Sequence, residues 1–432
     1  MYLRQRAVTR RAALGLAGGL AVIVAAAACS AEPDNPTPSP EGFDDPDAAS
    51  TQTAADDPAA AAYQAGTTEF ALAMLAEAVA AEPTANAVIS PLSISQCMAL
   101  VAQGADGDTL TQIAAALGCG DAAELRTGAN AEITAIAALQ QAQFDMANTS
   151  FVSDSFAVKD DYASIVAQWF GVAPHSVDFS DPSGATATIN DWVAQRTNDK
   201  IPELLESGQV TPNTRAVLVN ALYLNALWAQ EFSPDSTSAD VFTLGDGSTS
   251  EAEYMQDHRH VQYVEQDGAI AFELPYKDDG LAALFYLPNE DTDLAEAIAS
   301  LTPQSLSNLI EQLAETEAQL YVPIFEVRQR IELSAALQKA GIVDAFNPDE
   351  ADFSALADEP TSLSFVQHEA WLRVAEKGTE GAAATAAGME ASSANPDGSV
   401  EIRLDRPFLF VVRVIATGSI AFVAAVQDPS DS

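Results

Sequence analysis

The chain has 432 residues, 48% of them hydrophobic, and its 62 Asp and Glu against 19 Lys and Arg give a formal net charge of −43. The length and the hydrophobic fraction allow a sizeable core, in one large domain or two ordinary ones. The charge argues against nucleic acid and against anionic membrane surfaces as partners, because both are bound by clustered cationic side chains.

The first 28 residues predict a bacterial export signal. Four arginines within the first 11 residues precede an uncharged apolar run over residues 12–28, and this combination is typical of a segment removed on export. The pair Arg10-Arg11 resembles a twin-arginine signal. Residues 26–29, Ala-Ala-Ala-Cys, resemble a lipoprotein cleavage box, so we expect Cys29 to carry lipid and the protein to be a cell-surface lipoprotein. The alternative is an incidental cysteine beside an ordinary cleavage site, which makes the protein extracellular.

Residues 29–62 predict a disordered tether, because they consist mainly of Ala, Pro, Asp, Ser and Thr and have few large apolar side chains to bury. Two cysteines remain beyond it, Cys97 and Cys119. An exported protein can join them in a disulfide. The apolar helical pattern around Cys97 is equally compatible with a buried free thiol.

The first half of the folded part has mainly helical patterns. Apolar residues at helical spacing, with Ser or Thr placed to cap, predict four helices and one short strand. The helices lie within residues 67–80, 92–100, 102–117 and 185–205, and the strand covers residues 86–89.

Strand patterns dominate the second half. Residues 215–228 form an apolar, β-branched run that predicts a central strand, and Asn220 in its middle needs polar partners if it is buried. A helix is predicted over residues 331–340. The other predicted strands cover residues 272–276, 281–288, 319–327 and 363–376, and residues 408–415 and 419–426 predict a buried hairpin that closes the chain.

Residues 377–393, KGTEGAAATAAGMEASS, have almost nothing to bury. Written as a strand, the face that begins at Thr379 carries no charge, and both Glu380 and Glu390 fall on the other face. This pattern is typical of an exposed loop that can also become a strand with one buried face. An Ala-rich linker is the alternative.

Ten short blocks along the chain, in order, resemble the signature blocks of the serpin family. The resemblance covers about residues 63–429, predicted as a single domain, with an exposed reactive loop at about 376–400. It implies an α+β fold with a large central mixed sheet, two smaller sheets and about nine helices. The blocks are Asn86 with residues 90–94, then 104–109, 189–193, 218–221, 273–276, 287–288, 341–346, His368, 376–380 and 405–408.

The resemblance implies an inhibitor of serine proteases rather than an enzyme. In this family the protease cuts the exposed loop as a suicide substrate and forms an acyl-enzyme. The cut loop then enters the main sheet as a new strand, and strain stored in the metastable native state is released. The implied partner is therefore a serine protease, bound covalently by a monomeric inhibitor.

The family's hinge begins at a Glu that is the seventeenth residue before the cleaved bond. Placing Glu376 there makes Ser392–Ser393 the expected reactive bond, with Ala391–Ser392 as the alternative. A small residue before the bond suits elastase-like or subtilisin-like proteases and argues against trypsin-like ones.

The hinge residues decide between inhibitory and non-inhibitory members. Non-inhibitory serpins, which would act here as surface binding proteins, usually carry charged or bulky residues in the hinge, whereas this hinge is small and mostly uncharged. Gly381 stands where inhibitory members usually have Ala, and glycine weakens a strand, so it could slow insertion. The predicted hinge residues are Glu376, Gly378, Thr379, Glu380, Gly381, Ala382, Ala383, Ala384 and Thr385.

Five further positions take roles from the resemblance. Trp228 resembles the tryptophan where the loop first enters the sheet. Four residues resemble the polar cluster beneath the point where the sheet opens, namely Ser90, Ser93, Asn220 and His368.

No cofactor or metal is expected. The chain has no Gly-x-Ser-x-Gly motif, no phosphate-binding glycine loop and no cysteine pair at zinc spacing. His258 and His260 next to Asp257 have no well-placed third ligand, which favours a solvated loop over a metal site.

Overall fold

The computed structural model of the protein describes residues 57–379 and 399–431. The predicted export signal, Cys29 and most of the tether lie outside the described residues. So do the hinge from Glu380 to Thr385 and both candidate bonds between Ala391 and Ser393. Those assignments stay predictions.

Nine α-helices occur in the described part of the chain. Several begin with an acidic or hydroxyl side chain that caps a backbone N–H, followed by proline in the first turn, as at Asp57-Pro58 and Ser90-Pro91. The helices are α1 (Pro58–Ala81), α2 (Pro91–Ala102), α3 (Gly107–Ala116), α4 (Ala122–Ala137), α5 (Asp160–Phe170), α6 (Pro182–Arg196), α7 (Leu294–Ser300), α8 (Pro303–Glu311) and α9 (Ser334–Lys339).

The helix α1 corrects the predicted end of the tether. Residues 58–62 already belong to the helix, so the predicted boundary at residue 62 is wrong. The reason is local, because Asp57 accepts a hydrogen bond from the N–H of Ala59 at 2.9 Å and alanines with high helix propensity follow the proline.

The strands are β1 (Ala87–Ile89), β2 (Gln143–Ser153), β3 (His175–Val177), β4 (Ala216–Leu227), β5 (Ser238–Thr243), β6 (Thr249–Gln266), β7 (Ala269–Pro275), β8 (Leu281–Leu287), β9 (Ala314–Pro323), β10 (Phe325–Glu332), β11 (Phe365–Ala375), β12 (Gly378–Thr379), β13 (Val400–Arg403), β14 (Phe408–Val414) and β15 (Ile420–Val426). Six of them form a mixed sheet in the order β10-β11-β12-β4-β2-β3. The other nine form a network in the order β1-β15-β14-β8-β7-β6-β9-β13, with β5 paired to β6.

The observed architecture confirms the predicted α+β fold with a central mixed sheet. The resemblance implied two smaller sheets, whose strands here form one hydrogen-bonded network. They are joined by β6, an 18-residue strand that pairs with β5, β7 and β9. The closing hairpin is confirmed as β14 and β15. Cys97 and Cys119 are both buried free thiols, so the described structure contains no disulfide between them.

The strand β4 lies at the centre of the six-stranded sheet and shows why its predicted run is almost wholly apolar. It pairs with β2 in antiparallel and with β11 in parallel orientation. Its alternate side chains enter different cores. Leu222, Leu224 and Ala226 pack toward the nine-stranded network, whereas Val217 and Val219 pack with the side chains of α6.

Two predicted boundaries near residue 330 are wrong. The single strand predicted over 319–327 is two strands, β9 and β10, separated at Ile324. The helix predicted over 331–340 is shorter, because Ile331 and Glu332 still belong to β10 and α9 covers only Ser334–Lys339. Pairing of Ile331 with His368 across β10 and β11 overrides the local helical pattern.

Candidate functional site

The two-residue strand β12 lies between β4 and β11 at one end of the six-stranded sheet. Gly378 pairs with Leu227 on β4 and with Ala375 on β11. Thr379 pairs with Ala226 and Val374 and is fully buried. The first residues of the predicted hinge are therefore already inside the sheet. We call this region, residues 226–228, 276 and 374–379, the entry end.

Glycine is required at position 378 because the backbones approach closely. A Cβ atom there would lie 2.0 Å from the carbonyl oxygen of Ala226, a backbone atom that cannot move without displacing β4. The placement of this predicted hinge residue thus has a steric cause.

Trp228 holds the turn between β11 and β12. Its indole Nε1 donates to the carbonyl oxygen of Ala375 at 2.9 Å, and its backbone N–H donates to that of Lys377 at 2.9 Å. Its ring stacks on Tyr276 with ring centroids 4.6 Å apart. The Tyr276 hydroxyl in turn shares a hydrogen bond with that of Thr379. Burial raises the pKa of Tyr276, so the phenol stays protonated and able to donate.

Glu376 is fixed from both its backbone and its side chain. Its carbonyl oxygen accepts from the N–H of Phe232 at 2.8 Å, and its carboxylate accepts from the Thr237 hydroxyl at 3.0 Å. The turn that precedes β12 is therefore held by the segment that follows β4.

The pairing of β4 with β11 changes along the two strands. Six residue pairs join them directly, from Val217 and Phe365 to Leu222 and Ala370. The strand β12 then occupies the positions beside residues 226–227 and 374–375. Between these two regions lie residues 223–225 of β4 and 371–373 of β11, which do not pair directly with each other.

The four residues predicted to lie beneath the opening come together in the directly paired region. His368 and Asn220 are register partners, and both have zero exposure. The N–H of Ser90 donates to His368 Nε2 at 3.1 Å, so the Nε2 atom is unprotonated and Nδ1 donates to Asn220 Oδ1. Burial lowers the pKa of His368 to about 3, which keeps this ring neutral.

Sequence reasoning missed the residue at the centre of this network, Asn148 of β2. Its Oδ1 accepts from the Ser93 hydroxyl at 2.7 Å and from Asn220 Nδ2 at 3.1 Å. Its Nδ2 donates to the carbonyl oxygen of Ser93 at 3.1 Å. An asparagine inside a recognised strand is the signal that could have identified it, but β2 was not predicted. We call Ser90, Ser93, Asn148, Asn220 and His368 the polar cluster.

Glu369, beside His368, was also missed. It is fully buried and binds Arg328 Nη2 at 2.6 Å and Arg330 Nε at 2.9 Å, both from β10. A buried carboxylate needs such partners, and here they join the outer strand β10 to β11.

His258 and His260 are on β6, so the prediction that they lie in a solvated loop is wrong. They face Glu317 and Glu315 of β9 at 3.6 and 3.5 Å. Within residues 57–379 and 399–431, no group of three His, Cys, Asp or Glu side chains is arranged to hold a metal ion. Across the same residues no helix has the length and apolar character to cross a bilayer.

A family model described as serpin, serine protease inhibitor, matches residues 65–429, which include both the entry end and the polar cluster. The chain belongs to the serpin family.

Relatives and solved structures agree with this assignment. A serpin-like protein of Methanosarcina acetivorans is 33% identical over 349 residues, which is 80% of this chain and 81% of the relative. A serine protease inhibitor of Cyanea capillata is 31% identical and covers 86% of this serpin and 100% of its own length. The native-state structure of the thermophilic serpin tengpin superposes with a TM-score of 0.77 at 27% identity, covering 85% of this chain and 94% of that one. Serpins are generally inhibitors of proteases rather than enzymes, and some members are non-inhibitory.

Proposed function

We propose that this serpin is an inhibitory one, which acts as a suicide substrate of serine proteases by inserting its cleaved loop between β4 and β11. The observation that carries the proposal is β12. A strand of two residues already lies between β4 and β11, antiparallel to both, and the residues that follow it are the predicted hinge.

Extension of β12 has a defined path. The next three residues would lie beside 223–225 of β4 and 371–373 of β11, where no β4–β11 pair has to be broken. Further insertion must separate Leu222 from Ala370 and then the remaining direct pairs. It must also part Asn220 from His368, so the polar cluster opposes insertion until the loop is cut.

The gain on insertion comes from main-chain pairing on both sides of the new strand. Each inserted residue adds hydrogen bonds to β4 and β11 in a buried sheet, whereas an intact loop of fixed ends cannot supply the length. Cleavage frees one end. In the proposed mechanism the acylated protease moves with that end. Its oxyanion hole is displaced and no longer stabilises the transition state of deacylation, so the acyl-enzyme persists.

The predicted target class follows from the residue before the bond. Ser392, or Ala391 in the alternative register, is small and uncharged. Such a residue fits the shallow primary pockets of elastase-like or subtilisin-like serine proteases. We propose that the inhibitor acts as a monomer outside the cell, bound to the membrane only through lipid on Cys29.

The test uses residues 52–432, the compact unit that contains all described residues. It is mixed separately with an elastase, a subtilisin and trypsin, and the products are resolved by denaturing gels and mass spectrometry. The expected result is a boiling-resistant complex of summed mass with elastase or subtilisin, together with a released peptide that begins at Ser393 or Ser392.

The opposite outcome would also discriminate between the two functions. Cleavage within the loop by every protease, without a covalent complex, would exclude inhibition of these enzymes. If the cleaved protein also showed no rise in thermal stability, the alternative of a non-inhibitory serpin acting as a surface binding protein would be favoured.

A further inference from the structure

The segment that joins α6 to β4 passes over one face of the six-stranded sheet without forming a helix or a strand. We call residues 200–209 of this segment the strap. Ile201 and Leu204 of the strap are buried in one core cluster with Val217 and Val219 of β4. The strap is therefore packed onto β4, on one side of the boundary between β4 and β11, which we call the seam.

The helix α6 holds the strap from the same side of the seam. Asn190 of α6 binds both backbone groups of Leu205. Its Nδ2 donates to the Leu205 carbonyl oxygen at 2.9 Å, and its Oδ1 accepts from the Leu205 N–H at 2.8 Å. Because this contact and the apolar packing both come from α6 and β4, the strap should stay with these elements when the sheet opens.

Polar contacts from the strap reach across the seam, and they recur at every third residue. Lys200 Nζ lies 4.7 Å from the ring centroid of Trp371 on β11. Gln209 Nε2 donates to Gln367 Oε1, also on β11, at 3.2 Å. The two positions between them contact β10. The four residues of the strap that make these links are Lys200, Glu203, Glu206 and Gln209.

Arg330 of β10 accepts no strap residue at random, because it makes the two central links with one guanidinium group. Its Nη1 lies 3.4 Å from Glu206 Oε1, and its Nη2 donates to the carbonyl oxygen of Glu203. Its Nε donates to the fully buried Glu369 of β11 at 2.9 Å. The buried carboxylate orients the guanidinium group, so the same side chain joins the outer strands to the strap.

The links lie over the part of the seam that insertion must open. Gln367 and Glu369 are the register partners of Val219 and Ala221, in the directly paired region. A new strand would move β10 and β11 away from β4 by about 4.8 Å, the spacing of neighbouring strands. Contacts of 3.2 and 3.4 Å between the strap and the outer strands would not survive this displacement. Arg330 and Glu369 lie on the same side of the seam, so their contact would be kept.

We propose that Arg330 is a positioning residue for loop insertion, which holds the strap across the seam through Glu203 and Glu206 and thereby opposes entry of the loop. This role rests on the proposed inhibitory function, since it concerns the step in which the loop enters the sheet. The contacts of one side chain then have different fates. Those with the strap belong to the native form alone, whereas the contact with Glu369 belongs to the native and the inserted form.

Arg330→Gln and Arg328→Gln are a matched pair for the test. Each removes one of the two arginines that bind Glu369, but in the part of the chain that the structure describes only Arg330 of the two contacts the strap. The thermal midpoint of the full chain is measured before and after its loop is cut by a metalloprotease, which forms no acyl-enzyme. We expect Arg330→Gln to lower the native midpoint by roughly 1–3 °C more than Arg328→Gln does. After cleavage the two variants should be equal.

Amide hydrogen exchange at residues 201–209 gives a second readout, which a loss of stability at Glu369 alone would not change. We expect exchange in the native protein to be about threefold faster in Arg330→Gln than in Arg328→Gln, with no difference after cleavage. Glu206→Gln leaves the pair of Arg330 and Glu369 intact, so it should produce a smaller change in the same direction.

Equal effects of the two arginine variants on the native midpoint and on exchange in the strap would overturn the proposal. A loss specific to Arg330→Gln that persists unchanged in the cleaved protein would also overturn it. Failure of the proposed function has a different signature, because cleavage would then give the wild type no gain in thermal stability, whatever the two variants do.

Discussion

At the entry end a two-residue strand separates β4 from β11, whereas at the polar cluster the same two strands pair directly. The entry end is built from stacked aromatic rings and a small hydroxyl side chain, Trp228, Tyr276 and Thr379, which together accept a strand. The polar cluster is a ring of neutral hydrogen bonds, in which His368 binds both Asn220 and the N–H of Ser90. Opening the sheet therefore costs little at one end and much more at the other, and this difference can be measured.

The largest effect is expected from Thr379→Arg at the entry end. An arginine in this fully buried position would put an unpaired charge against Tyr276, so β12 could neither stay nor extend. We expect the yield of covalent protease complex to fall at least tenfold while cleavage of the loop continues. The ratio of complex to cleaved product on denaturing gels is the measurement.

Thr379→Val is the matched control, because it keeps the size and removes only the hydroxyl. It should retain most of the covalent complex. Unchanged complex formation by Thr379→Arg would show that β12 is not the start of the inserted strand.

Asn220→Ala tests the polar cluster. It leaves the His368 N–H buried without an acceptor and opens a gap beside Asn148, at a cost of about 3 kcal/mol to the native form. In the loop-inserted form Asn220 and His368 are already apart, so we expect the thermal midpoint of the native protein to fall more than that of the cleaved protein. Scanning calorimetry of both forms gives the two values.

Ser93→Ala is the comparison variant and should lower the stability of the native form less than Asn220→Ala does. It removes one hydrogen bond to Asn148 Oδ1, and that atom keeps its bond from Asn220. Equal losses of stability in native and cleaved Asn220→Ala would mean that the cluster does not oppose insertion.

Acidification should weaken the same region. The pKa of His368 is about 3 in the folded protein, far below its ordinary value of 6.5, because the ring is buried. The neutral ring therefore makes its full contribution to the free energy of unfolding above pH 6.5. That contribution is lost as the pH falls toward 3, by at most about 1.4 kcal/mol per pH unit, because the unfolded chain takes up a proton that the folded protein does not. We expect the thermal midpoint of the wild type to fall faster between pH 6.5 and 5 than that of His368→Gln, which cannot take up the proton. Parallel curves for the two proteins would contradict this.

The smallest effect is expected from Trp228→Phe. Phenylalanine can still stack on Tyr276 but loses the bond from Nε1 to the Ala375 carbonyl oxygen, worth about 1 kcal/mol. We expect faster amide hydrogen exchange at Gly378 and Thr379 with little change at Asn220 and His368. Faster exchange at both places would mean that the two ends open together rather than separately.

Local patterns were sufficient to predict several parts of this site. The apolar run of β4 with one asparagine inside it implied both a buried strand and a polar network around Asn220. The small, uncharged face that starts at Thr379 implied a segment able to enter a sheet. Both inferences needed only the two-residue period of a strand and the cost of burying an unpaired amide.

Other parts depended on contacts between distant segments. Asn148 and Tyr276 reach the site from β2 and from the end of β7, and no spacing rule relates them to Asn220 or Thr379. The residues 331–332 have a helical pattern, but they pair with 367–368 and lie in a strand.

The sequence by itself therefore determined the central strand and the need for a buried polar network, because these follow from local chemistry, and the strand-like period of the hinge beyond Thr379 stays a prediction. Only the tertiary structure decided that Gly378 and Thr379 lie between β4 and β11, and that β4 and β11 pair directly as far as Leu222 and Ala370. Those features arise where segments more than a hundred residues apart meet, and the energies of such contacts are set by packing that no single stretch of sequence contains.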